Sequence, residues 1–356
     1  MKVKAASAQL FSGNEALGEA AIRAGCDCYY GYPITPQNEL TAYMSARMPE
    51  EGRVFLQAES ELAAINMVFG SSSCGMRAMT SSSSPGISLK QEGISYLAGA
   101  ELPAVIVNIA RGGPGLGNIS GAQGDYWQAV KGGGHGDYRT PVLAPASVQE
   151  TVDLTGLAFD LADRYRTPVL ILGDGYLGQM MEPVTFGDLS PASDLPAKDW
   201  ALSGASGRPA RLIRSLFMEG DSLEEHNLML LERYKLIEEK ETRWEGVDAD
   251  GADVVMVAYG IPARICRSVI AEGAKRGMKL GMIRPISLWP FPAEPIRRAA
   301  ERVKGVLVVE MSTGQMVEDV RLSVEGRCPV GLYGRTGGRL PKTDVILEEC
   351  AKLAGK

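Results

Sequence analysis

The chain has 356 residues, 45% of them hydrophobic, with a net charge of −6 and a pI near 5.3. That length fits two domains with sizeable cores, and the composition excludes wholesale disorder. Acidity argues against a nucleic-acid protein, which is more often basic.

In chain order, strand-like and helix-like stretches alternate. The spacing predicts a helix over 15–23, a strand over 28–32, a helix over 61–70 and a strand over 77–80. A strand over 104–109 runs into a Gly-rich loop. The stretch 148–165 has helical spacing with Ser147 as its N-cap, and 168–172 is another strand. This alternation implies a parallel sheet covered by helices on both faces. Residues 183–208 are rich in Pro, Ser, Gly and Asp and read as a connector, followed by a charged helix over 222–243. A second α/β pattern then begins, with strands at 253–258, 279–285 and 306–310 and an amphipathic helix over 261–276. The expected division is 1–245, including a connector from about 183, and 246–356.

No run approaches the roughly 18 uninterrupted apolar residues of a membrane helix. Ser7, Gln9, Ser12, Asn14 and Glu15 interrupt any apolar leader, so neither a membrane span nor a secretory signal is expected. Cys26, Cys28, Cys74, Cys266, Cys328 and Cys350 include one close pair, with Cys-x-Cys spacing. That pattern fits a reducing cytoplasm and does not suit an iron–sulfur cluster on this chain. Two histidines, His135 and His226, are too few for a typical zinc site, and no metal is expected here.

The first chemical constellation is Gly31-Tyr32-Pro33-Ile34-Thr35-Pro36, directly after a predicted strand. Its prolines fix φ on either side of Thr35 and make a rigid turn at a strand's carboxyl end, where open α/β sheets place ligands. A hydroxyl there donates to a ligand oxygen; equally, the turn is a stiff strand exit and Thr35 caps the next helix. The second is Glu59-Ser60-Glu61, an acidic pair opening a helix, where the dipole favours negative charge. The two glutamates either cap the helix, or one is buried against a cofactor nitrogen. The third is Arg111-Gly112-Gly113-Pro114-Gly115-Leu116-Gly117. Its glycines admit close backbone approach and its arginine suits a carboxylate, or it is a flexible surface loop.

Gly173-Asp174-Gly175 looks like the opening of the thiamine-diphosphate motif, but the next asparagine is Asn227, too distant to share a magnesium ion. It reads as a strand-end turn. The glycine-rich runs 132–138, with His135, and 334–338, with Arg335, are either exposed turns or loops for a site, an anion or a partner.

Together these motifs resemble the α subunit of 2-oxoacid:ferredoxin oxidoreductases. The residues that carry the likeness are the turn 32–36, the start Glu61-Leu62-Ala63-Ala64-Ile65, the loop from Arg111 to Pro114 and Ala144-Pro145-Ala146-Ser147-Val148-Gln149-Glu150. The segment 306–312 resembles the transketolase C-terminal domain that follows the pyrimidine-binding domain in this family. The resemblance implies an α/β fold of those two domains. It implies that Thr35, with Pro33 and Ile34 beside it, binds the substrate, that Arg111 takes its carboxylate and that Glu61 meets N1′ of the aminopyrimidine. Protonation at N1′ favours the imino form, which draws the proton from the thiazolium carbon, and a desolvated carboxylate stabilises it.

By the same resemblance, Ser83 and Ser84 lie beside the cofactor. Relatives read Thr-Ser-Gly-Pro-Gly where this chain has Ser82-Ser83-Ser84-Pro85-Gly86, so Ser84 replaces a glycine. Thiamine diphosphate with Mg²⁺ would be shared with a β subunit that carries the diphosphate site. Iron–sulfur clusters would sit on γ and ferredoxin-like δ subunits, with ferredoxin as acceptor and coenzyme A as co-substrate. The loops 112–117 and 132–138 look most like the branched-chain type, which takes 3-methyl-2-oxobutanoate. The 2-oxoglutarate type and a non-catalytic assembly subunit are the alternatives.

Overall fold

The computed structural model describes residues 8–355. Ser7, one of the polar residues set against an apolar leader, lies outside the described residues. The N-terminal elements are β1 (Gln9–Ser12), α1 (Gly13–Arg23), β2 (Cys28–Gly31), α2 (Asn38–Glu50), β3 (Val54–Gln57), α3 (Glu61–Ser73), β4 (Ala78–Ser82), α4 (Pro85–Gly99) and β5 (Ala104–Ala110). They continue as α5 (Tyr126–Lys131), β6 (Val142–Leu143), α6 (Val148–Tyr165), β7 (Pro168–Asp174), α7 (Gly175–Gln179) and β8 (Met181–Val184). A long irregular stretch then leads to α8 (Gly220–Glu241), β9 (Trp244–Val247), β10 (Val254–Val257), α9 (Gly260–Lys275), β11 (Leu280–Pro285) and β12 (Ser287–Trp289). The chain closes with α10 (Ala293–Ala300), β13 (Gly305–Glu310), α11 (Met316–Val324), β14 (Val330–Gly334) and α12 (Thr343–Leu353).

A seven-stranded sheet has the order β12-β6-β7-β5-β4-β2-β3, and a five-stranded sheet the order β14-β13-β10-β11-β9. Within them only β12 on β6 and β9 on β11 pair antiparallel. Central strands buried on both faces must be apolar throughout. β5 (AVIVNIA), β7 (PVLILGD) and β13 (GVLVVE) are such runs, and every residue in them is buried. The polar exceptions are Asn108 in β5, Asp174 closing β7 and Glu310 closing β13.

Several expected elements sit where the spacing put them. α6 starts after Ser147, whose hydroxyl accepts from Glu150 N, and ends at Tyr165 before left-handed Arg166. The expected strand 77–80 begins one residue later and extends to Ser82. That extension carries its hydroxyls to the sheet edge.

Because β2, β4, β5 and β7 are parallel, their carboxyl ends lie along one edge. The second sheet faces that edge through Gln123, which is buried. Its Nε2 donates to Tyr259 O at 3.0 Å and its Oε1 accepts from Met311 N at 2.9 Å. One side chain thus joins the loop after β5 to the ends of β10 and β13.

Candidate active site

Three strand ends build the site. After β2, Pro33 is exposed and Ile34 and Thr35 are half-buried. The turn is pinned from beneath: the Pro36 carbonyl accepts from Asn14 Nδ2 at 2.9 Å and from Gln179 Nε2 at 3.0 Å. Thr35 Oγ1 accepts from Asn38 Nδ2 at 3.2 Å, so its hydroxyl proton remains free to donate.

After β5, Arg111 sends its guanidinium back over β4. Nη1 donates to Thr35 O at 2.9 Å and Nη2 to Leu116 O at 3.2 Å, while Nε is buried without a partner. The loop behind it closes with Gly112 N to Ser120 O and Asn118 N to Gly112 O, both at 2.9 Å. Gly117 is required there: at φ +56°, a Cβ would lie 1.6 Å from Gly112 O.

Between these two ends, β4 delivers Ser82, Ser83 and Ser84. The hydroxyls of Ser82 and Ser83 are buried without partners. Ser84, where the resemblance leads one to expect a glycine, has a glycine-like backbone at φ +24°. Its atoms compensate for that strain. Ser84 N donates to Asn108 Oδ1 at 3.1 Å, and its hydroxyl donates to Asp125 Oδ2 at 2.6 Å and accepts from Arg111 N at 2.9 Å. Asn108 Nδ2 donates to the same Asp125 oxygen at 2.8 Å. Burial pushes the Asp125 carboxyl up, and these two donors and the Arg111 charge pull it back. Asn108 and Asp125 were not legible as site residues, though a polar residue inside the apolar run of β5 is a signal for the first.

Glu61 is the first residue of α3. Capping falls to Ser60, whose hydroxyl accepts from Ala63 N at 3.1 Å; Glu59 is exposed, and neither glutamate caps the helix. Released from that task, Glu61 is buried at 5% exposure against α4. A Cβ on Gly86 would lie 2.0 Å from Ser82 Oγ and 2.6 Å from Glu61 Oε1, so the glycine lets both the carboxylate and the orphan hydroxyl come down onto bare backbone. Among the described residues, no donor is paired with the Glu61 carboxylate. A dry acceptor beside unpaired hydroxyls is a place for a ligand with hydrogen-bonding edges.

A cavity of about 660 Å³ adjoins this floor, between Ser84, Asp125 and Leu116 on one side and Met311, Gln315 and Gly337 on the other. The run 334–338 docks there: Gly337 O accepts from Asn118 Nδ2 at 3.3 Å and Gly338 O accepts from the Tyr176 hydroxyl. The run 132–138 is exposed except at Tyr138, whose hydroxyl accepts from Gly134 N at 3.0 Å. Asp174 caps α7 through Tyr176 N at 2.8 Å and Leu177 N at 3.2 Å.

Among the described residues, no three His, Cys, Asp or Glu side chains are grouped to hold a metal ion. No helix among them is long and apolar enough to cross a membrane.

Comparison with known proteins finds two family models. One described as pyruvate flavodoxin/ferredoxin oxidoreductase, thiamine diP-binding, matches residues 19–215, and one described as pyruvate:ferredoxin oxidoreductase core domain II matches 252–346. The ketoisovalerate oxidoreductase subunit VorB of Methanothermobacter thermautotrophicus is 52% identical, over 98% of each chain. The 2-oxoglutarate synthase subunit KorA of the same organism is 35% identical, over 96% of this chain and 97% of its own. In fold, the 2-oxoglutarate:ferredoxin oxidoreductase of Magnetococcus marinus, solved with 2-oxoglutarate, coenzyme A and succinyl-CoA, superposes with a TM-score of 0.85 at 24% identity. That match covers 98% of this chain and 66% of the other. A split-gene transketolase, an inactive β4 tetramer, superposes with a TM-score of 0.61 at 17% identity, over 97% and 98% of the two chains.

Proposed function

This chain belongs to the 2-oxoacid:ferredoxin oxidoreductase family, and on that premise we propose that it supplies the aminopyrimidine side of a thiamine-diphosphate site shared between subunits. The reaction is the coenzyme-A-dependent oxidative decarboxylation of branched-chain 2-oxoacids, giving acyl-CoA and CO₂ and passing electrons to ferredoxin. Greater identity to the ketoisovalerate subunit than to the 2-oxoglutarate subunit, 52% against 35%, favours the branched-chain acid.

One observation carries the reading: the dry, unpaired Glu61 carboxylate held against Gly86 beside the orphan Ser82 and Ser83 hydroxyls. An aminopyrimidine offers a ring nitrogen and an amino group to such an edge. When bound, thiamine diphosphate supplies the nucleophilic carbon and the electron sink for decarboxylation. Glu61 holds a proton at N1′, and its burial makes that contact strong. Ser83 hydrogen-bonds the ring's polar edge, and Ser84 shapes the turn beneath it. Thr35 donates to the substrate oxygen near the reacting carbon, with Pro33 and Ile34 walling that side. Arg111, its fork already fixed by Thr35 and Leu116, offers Nε to the substrate carboxylate.

The diphosphate and Mg²⁺ belong to a β subunit, and the iron–sulfur clusters to γ and δ subunits. The mouth of the site supports a covering partner: Leu62, next to Glu61, is 48% exposed, and Leu116 is 80% exposed. Apolar side chains left in water beside a site mark an interface.

The test is purification of the chain with its partners, then benzyl-viologen reduction with coenzyme A across a panel of 2-oxoacids. The expected preference is 3-methyl-2-oxobutanoate over 2-oxoglutarate. The reverse preference would sink the branched-chain reading, and tight magnesium-dependent thiamine-diphosphate binding by the chain alone would sink the shared site.

A further inference from the structure

The consecutive residues 123–127 join the two sheets, and they face in two directions. Gln123 N donates to Met311 O at 2.9 Å, beside the two bonds its side chain makes to Tyr259 and Met311. Gly124 O accepts from Gln315 Nε2 at 2.8 Å, and Trp127 N donates to Gln315 Oε1 at 2.9 Å. The Tyr126 hydroxyl donates to Asp319 Oδ2 at 2.6 Å. Tyr259, Met311, Gln315 and Asp319 all lie in the stretch 252–346 that matches core domain II.

Asp125, in the middle, turns the other way. Its Oδ2 accepts from the Ser84 hydroxyl at 2.6 Å and from Asn108 Nδ2 at 2.8 Å, so that oxygen carries no proton. Ser84 N donates to Asn108 Oδ1 at 3.1 Å, which closes a ring through Ser84, Asn108 and Asp125. The ring leads on to the site at one point: Ser84 Oγ accepts from Arg111 N at 2.9 Å. A hydroxyl has one proton, and Ser84 spends it on the carboxylate at 2.6 Å, closer than the Arg111 carbonyl at 3.3 Å. Its lone pairs are thereby aimed at the Arg111 amide. The β4–β5 ladder stops at Ser82 and Asn108, so beyond it the Ser84 side chain sets Arg111 against β4. The chemistry above leaves Asp125 without a task.

We propose that Asp125 is a positioning residue for Arg111. It relays the place of the second sheet's elements, through the Ser84 hydroxyl, to the main chain from which the guanidinium reaches Thr35. The proposal rests on the reading of Arg111 as the holder of the substrate carboxylate. A binding group displaced by about 1 Å loses up to about 10²-fold, so a relay that fixes its main chain matters to affinity. A glycine at position 84 carries no hydroxyl and cuts the relay.

Steady-state kinetics of the assembled, cofactor-loaded complex test it. Asp125→Ala raises the KM for the 2-oxoacid by about tenfold and leaves kcat within about twofold. Asp125→Leu, which fills the space without an acceptor, is as poor, whereas Asp125→Asn, which keeps an oxygen acceptor, restores most of the affinity. In a chain that carries Ser84→Gly, Asp125→Ala changes KM by less than about twofold further. Tyr126→Phe, which releases only the Asp319 bond, raises the same KM by about two- to fivefold, and does not do so once Asp125→Ala is present. Equal effects of Asp125→Ala with and without Ser84→Gly overturn the relay. A fall in kcat at unchanged KM also overturns it, because Asp125 would then act on the reacting atoms. The two readings fail separately. If Arg111→Ala raises KM and Asp125→Ala does not, the carboxylate site stands and the relay falls. If Asp125→Ala raises KM and Arg111→Ala does not, the carboxylate lies elsewhere and the reading of Arg111 falls, taking the proposal with it.

Discussion

Arg111 Nη1 donates to the Thr35 carbonyl at 2.9 Å, across 76 positions of sequence. Thr35 follows β2 and Arg111 follows β5, and β4 lies between those strands in the sheet. The guanidinium therefore spans two strand spacings, roughly 10 Å, and roofs the serines at the end of β4. Any carboxylate that binds Arg111 meets a fork whose orientation is already set, which lowers the entropy lost on binding.

Arg111→Ala should raise the KM for 2-oxoacids by about 10- to 100-fold, the equivalent of a charge-assisted hydrogen bond of about 1.5 to 3 kcal/mol. Arg111→Lys should restore little, because one ammonium cannot reproduce the planar fork that reaches both Thr35 and Leu116. Steady-state kinetics of the complex check this. A KM unchanged for every 2-oxoacid tested would remove Arg111 from the carboxylate site.

Glu61→Gln keeps the shape of the side chain and removes its charge. Turnover of the assembled complex should fall by about 10² to 10⁴, the range for a lost acid–base contact. Near-wild-type turnover would show that the charge of this residue does not serve the reaction.

Gly86→Ala would place a methyl 2.0 Å from Ser82 Oγ and 2.6 Å from Glu61 Oε1. Overpacking of that kind costs about 1 to 3 kcal/mol. Because the carboxylate must shift, activity should drop far more than the melting temperature does. A variant of normal activity would mean that the Glu61 contact tolerates displacement.

Ser84 combines a left-handed backbone with hydrogen bonds to Asp125 and Arg111. Ser84→Ala keeps the strain and loses the bonds, while Ser84→Gly loses the bonds and relieves the strain. The alanine variant should therefore be the less stable of the two by about 1 kcal/mol. Chemical denaturation of both ranks them, and the opposite order would contradict the conformation given to this turn.

Asp174 is buried, and burial raises its carboxyl from 3.8 to about 6 against the pull of backbone amides at Leu177, Tyr176 and Ile261. The folded state thus holds this proton more tightly than the unfolded chain. The resulting stability is full below pH 3.8 and is lost as pH rises through about 6. Relative to Asp174→Asn, the native chain should lose about 2 kcal/mol between pH 4 and pH 7. Unfolding of both proteins across that interval measures it, and a constant difference would show that Asp174 is not desolvated.

The sequence by itself determined the alternation of strands and helices, the start and end of α6, and the rigid turn after β2. Those features depend on neighbours within a few residues: the Ser147 cap, the prolines around Thr35, the mostly apolar runs of β5 and β7. α4 was not legible, because the face it turns to α3 carries Gly86, Lys90 and Gly93 instead of an apolar stripe. β3 was not legible either, since its residues are mostly exposed at the edge of the sheet. Only the tertiary structure decided which residues meet. Strand order put Arg111 over Thr35, helix approach put Glu61 against Gly86, and buried Gln123 reached from the loop after β5 to the ends of β10 and β13. The physical reason is that hydrogen bonds and charges act over a few ångströms, and burial strengthens them only where packing excludes water. Distances along the chain do not encode that packing.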